Sequence, residues 1–96
     1  MDIYQVIQLK RSEVLLLAER FGVKNIRIFG SVARHEARAR SDIDFLVEFS
    51  PGTSLMTHAA FQRELSELIG RDVDVASVKG LKEQVRQTVM QEAVPL

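Results

Sequence analysis

Hydrophobic positions recur every three to four residues through the first fifth of the chain. Ile3, Val6 and Ile7 come first, then Val14, Leu17, Ala18 and Phe21. This spacing predicts helix, with Ser12 and Glu13 restarting a second helical segment and Gly22 ending it. The period then changes. Asn25 to Phe29 alternates around Ile26 and Ile28 and predicts a first strand, punctuated by Gly30 and Ser31. Ser31 suits the N-cap of a short helical stretch, "VARHEARA".

Ile43 to Phe49 gives the clearest strand, with Ile43, Phe45, Val47 and Phe49 on one face and Asp44, Leu46 and Glu48 on the other. A loop, "SPGTS", leads to a helix carrying Leu55, Ala59, Leu65, Leu68 and Ile69, closed by Gly70. "DVDVAS" is a short third strand, with Val73 and Val75 opposite Asp72 and Asp74. Leu81, Val85, Val89 and Ala93 line a last helix that ends near Pro95, and this apolar line is expected to cover the core, with part of an interface as the alternative.

Helices alternating with strands predict an α/β (α+β) fold, in which helices pack against a small mixed sheet of about three strands. The 96 residues are read as one domain, 1–96. Thirteen basic and thirteen acidic side chains cancel, which argues against a general nucleic-acid or membrane-surface binder held by long-range charge. With no cysteine, thiolate metal sites, disulfides and a cysteine nucleophile are excluded. The longest apolar run near the start, Val14 to Ala18, is too short for a membrane span or a signal core, so the expected location is the cytoplasm.

The chemistry lies in "FGSVARHEARARSDIDFLVEF", Phe29 to Phe49. The period of a strand sends Asp42 and Asp44 to the same side with Cα atoms about 7 Å apart. Two like charges so placed are costly unless something compensates them. A pair of carboxylates supplies hard oxygen donors suited to magnesium or manganese, and two-metal phosphoryl-transfer sites use such bridging aspartates. Gly30 and Ser31 supply the complementary half, because glycine after a strand allows close backbone approach and a following helix start presents amides to phosphate. Asp74 or Asp72 on the third strand offers a further carboxylate, and periodicity alone does not separate them.

Each feature alone is common: Gly-Ser in turns, Ser-Asp before strands, Arg34, Arg38 and Arg40 as a solvated basic face. Their order along the chain is more specific. "GSVARHEARARSDIDFLVEF" resembles the signature of the nucleotidyltransferase superfamily that includes DNA polymerase beta, and the likeness to minimal nucleotidyltransferases continues through "GRDVDVASVKGL" to "EAVPL". The resemblance implies two magnesium ions and ATP. It assigns metal binding and catalysis to Asp42, Asp44 and Asp74, and it selects Asp74 over Asp72. The triphosphate falls to Gly30 and Ser31, with Arg34 and Ser41 as further nucleotide-binding candidates. The chain departs from the family at His35, where glycine is frequent, and at Arg40, where a small or acidic residue is frequent. His58 has no partner legible in sequence and is expected at the surface.

Minimal nucleotidyltransferases commonly act as antitoxins of helical HEPN ribonuclease toxins. The resemblance therefore implies transfer of AMP from ATP to a tyrosine of such a partner, in a hetero-oligomer with the toxin. A non-catalytic antitoxin that neutralises by binding, or a transferase acting on another acceptor, is the alternative.

Overall fold

The computed structural model describes residues 2–34 and 42–96. Helix α1, Ile3–Leu9, begins at Asp2, whose carboxylate accepts from the Gln5 amide at 2.9 Å while the Gln5 side chain accepts from the Asp2 amide at 3.0 Å. Each contact satisfies a donor that the helix start leaves over. Helix α2, Arg11–Arg20, follows after Lys10 alone, one residue earlier than Ser12 predicts. The remaining elements are β1 (Val23–Phe29), α3 (Gly30–Ala33), β2 (Ile43–Phe49), α4 (Leu55–Ile69), β3 (Val73–Ser77), a single 3-10 turn at Val78–Gly80, α5 (Glu83–Glu92) and β4 (Val94–Pro95). Among the described residues no helix is long and apolar enough to cross a membrane.

The strands form one mixed sheet in the order β3-β2-β1-β4. β1 runs antiparallel to both β2 and β4, whereas β2 and β3 are parallel. Parallel neighbours need a long crossover, and α4 supplies it. Gly70 ends it as the sequence indicates, in the left-handed φ of 78° that terminates the helix, and at the other end the structure adds a cap, Ser54, whose side chain accepts from the Thr57 amide.

The strand count differs from expectation by β4. Val94 and Pro95 pair with Ile28 and Arg27, and the Leu96 amide donates to the Ile26 carbonyl at 3.0 Å. Proline is tolerated there because β4 is an edge strand.

The core lies between one face of the sheet and α2 and α4. Ile43, Phe45 and Val47 from β2 and Val73 and Val75 from β3 meet Val14, Phe61 and Leu65. This registers the odd positions of β2 and β3 inward, so Asp44 and Asp74 fall on the opposite face. Leu46 on that opposite face is also fully buried. The expectation that the last helix covers the core is corrected: α5 has no buried residue, and Val85 is 47% exposed.

Candidate active site

The site is built where β1 ends beside the start of β2. Phe29 pairs with Asp44 in the antiparallel register, and Asp44 pairs with Asp74 in the parallel one. The chain turns directly after Phe29 through Gly30, at φ 72°, a left-handed conformation that residues with a Cβ rarely adopt. A Cβ on Gly30 would also collide with a carboxylate oxygen of Asp44. Glycine is therefore required twice, for the turn and for the approach of the backbone to that carboxylate.

Ser31 lies inside α3 rather than at its N-cap, which is Phe29, so the expected capping role is corrected. The four-residue helix consists of little more than its first turn, whose amides have no acceptors within the helix. Ser31 and Gly30 are both half-buried, and Gly30 lies against Asp44. Arg34 closes α3, and its guanidinium lies 3.6 Å from the Glu92 carboxylate of α5.

Asp44 is half-buried, whereas Asp42 and Asp74 are exposed. Burial pushes the Asp44 carboxyl above its ordinary value of 3.8, and the negative charges of Asp74 and Asp42 push it further, while Arg34 draws it back. The three carboxylates thus interact electrically around Asp44. Among the described residues no three acidic or histidine side chains converge as a ready-made metal cage. Ser41, together with His35, Arg38 and Arg40, lies outside the described residues.

Sequence reasoning missed what holds β3. The Ile43 amide donates to the Asp72 carbonyl at 3.0 Å, which turns the backbone groups of Val73 and Val75 away from β2 by the alternation of a strand. Those groups meet α4. Ser66 Oγ accepts from the Val73 amide at 3.1 Å, Gln62 Oε1 accepts from the Val75 amide at 2.9 Å, and His58 Nε2 donates to the Val75 carbonyl at 2.7 Å. His58 also packs on Phe49 with ring centres 4.7 Å apart and is half-buried, so it has partners that the sequence did not show. The available signal was three polar residues at four-residue spacing on one face of α4.

The nucleotidyltransferase domain family matches residues 14–96, a span that includes the Gly-Ser turn, both strand aspartates of β2 and Asp74. The chain belongs to that family. A nucleotidyltransferase of this kind is an enzyme, and its relatives agree in class. Protein adenylyltransferase MntA of Thermococcus cleftensis is 41% identical over 78 residues, covering 81% of this chain and 79% of the relative. A Methanocaldococcus jannaschii protein assigned as a protein adenylyltransferase is 39% identical over 87 residues, covering 91% of this chain and 92% of its own length. A solved structure assigned to the minimal nucleotidyltransferases superposes with a TM-score of 0.89 at 44% identity, over 100% of this chain and 97% of the other. A toxin–antitoxin complex with AMP-PNP shares the nucleotidyltransferase fold, with a TM-score of 0.76 at 19% identity over 88% of this chain and 69% of the other.

Proposed function

We propose that this nucleotidyltransferase is an antitoxin that transfers AMP from ATP to a tyrosine of a partner HEPN ribonuclease toxin, neutralising it. The observation that carries the reading is the registered pair Asp44 and Asp74 beside the Gly30 turn. The names of the relatives, protein adenylyltransferase above all, support the reaction class. The fold shared with an MntA–HepT toxin–antitoxin complex supports the kind of partner.

The residues present fit magnesium. Their donors are hard carboxylate oxygens, and the raised Asp44 carboxyl marks negative charge that a cation would offset. Magnesium is characteristically held by one or two carboxylates together with substrate phosphates, which accords with carboxylates that do not form a closed cage. In this reading Asp42, Asp44 and Asp74 hold two ions, which would neutralise the triphosphate and acidify the acceptor hydroxyl when bound.

The chain's own groups do the rest. Gly30 and Ser31 seat the triphosphate with backbone amides and a hydroxyl, and Arg34 and Ser41 bind it further. Asp74 helps draw the proton from the acceptor phenol. The phenolic oxygen forms a bond to the α-phosphorus as the bond to pyrophosphate breaks, and pyrophosphate leaves. Incubating the partner with ATP and magnesium should add AMP to a tyrosine, located by peptide mass spectrometry. AMP on another residue type would remove the tyrosine assignment.

A second reading is favoured by one observation, the exposed Val85 and Met90 of α5. They are available to a partner that is neutralised by binding alone. Neutralisation by Asp44→Asn with unchanged partner affinity would select this reading over catalysis.

A further inference from the structure

A β-strand at the border of a sheet presents alternate backbone amides and carbonyls with no strand to receive them. β3 is such a strand, with β2 on one side only. On its other side stand His58, Gln62 and Ser66 of α4, spaced one helical turn apart. Gln62 and Ser66 accept from the amides of Val75 and Val73, and His58 donates to the Val75 carbonyl. Ser66 Oγ further donates to the Arg71 carbonyl at 2.7 Å, tying down the turn that enters the strand.

These contacts fall on the two residues that bracket Asp74. Asp74 itself is exposed, on a short side chain that follows its backbone closely. Its position is therefore set by its backbone. β2 holds that backbone on one side and the side chains of α4 hold it on the other. His58 is fixed in turn by the Phe49 ring at the far end of β2, so the ladder is anchored to the strand carrying Asp44.

We infer that His58, Gln62 and Ser66 are positioning residues, which clamp β3 from its open edge and so fix the Asp74 carboxylate relative to Asp44. The inference rests on the reading of Asp74 as a metal ligand. The residues act through the strand and touch neither nucleotide nor metal. Small displacements of a positioned group cost activity steeply, which gives such a clamp a purpose beyond covering an edge.

The test uses the intact chain and two readouts: amide exchange at Val75 by NMR, and binding of manganese in the presence of AMP-PNP. Gln62→Met removes the acceptor and keeps the length of the side chain. It should accelerate Val75 exchange by about tenfold or more while Phe45 in the sheet centre stays protected, and it should weaken manganese binding by about threefold to tenfold. Gln62→Glu retains an acceptor oxygen and should restore both. Asp74→Asn should weaken manganese binding and leave Val75 exchange unchanged. Accelerated exchange in Gln62→Met with manganese affinity unchanged, against a loss in Asp74→Asn, would overturn the clamp. Manganese affinity unaffected by Asp74→Asn would instead overturn the role of Asp74 itself.

Discussion

Gly30 and Asp44 lie so close that the glycine has no room for a side chain: a Cβ there would overlap the aspartate carboxylate. The left-handed φ of 72° adds a backbone reason for the same residue. Gly30→Ala should destabilise the fold by about 2 kcal/mol or more, measured by denaturant unfolding. Because the added methyl also displaces Asp44, nucleotide transfer should fall further than the stability loss explains.

The crowding of negative charge around Asp44 has a pH signature in the metal-free protein. Burial, then Asp74, then Asp42 raise its carboxyl above 3.8. Between that value and the raised one, the folded state keeps a proton that the unfolded chain has lost. Stability from this group therefore falls as pH rises through the window. Asp44→Asn should flatten that fall and leave the metal-free protein more stable at neutral pH, seen in melts from about pH 4 to about pH 7 without magnesium.

With magnesium and AMP-PNP present the order of stability should reverse. At roughly a hundred times its Kd a ligand stabilises the fold by about 2.7 kcal/mol. Wild type should gain this much and Asp44→Asn little of it, by differential scanning calorimetry.

Two apolar residues of α5 stand outside the core. Val85 is 47% exposed and Met90 36%, so Val85→Ser should change stability by no more than about 0.5 kcal/mol. A co-purification assay with the partner shows whether this face binds it: weaker capture of Val85→Ser would mark α5 as part of the interface.

The elements nearest the site were the most legible in the sequence. The strand carrying Asp44 was readable because apolar residues alternate through Phe49, and α4 because its apolar residues recur at helical spacing between the "SPGTS" loop and Gly70. What remained hidden depended on tertiary pairing. β4 has two residues, one a proline, and becomes a strand only because Ile28 and Arg27 lie opposite. The apolar period of α5 fits either core or interface, and it does not decide between them because an apolar stripe can face a partner as well as the core. His58 looked solitary because its acceptor, the Val75 carbonyl, belongs to backbone that carries no sequence signal. Asp74 was separable from Asp72 by family resemblance, and the parallel register now pairs Asp74 with Asp44. The assignment of Ser41 lies on residues the structure does not describe.

The most direct test of the central claim is intact-mass spectrometry of the co-purified partner after incubation with ATP and magnesium, comparing wild type with Asp44→Asn. The account predicts partner mass increments of AMP with wild type and none with the variant. A partner that stays unmodified in a tight complex with wild type would contradict it.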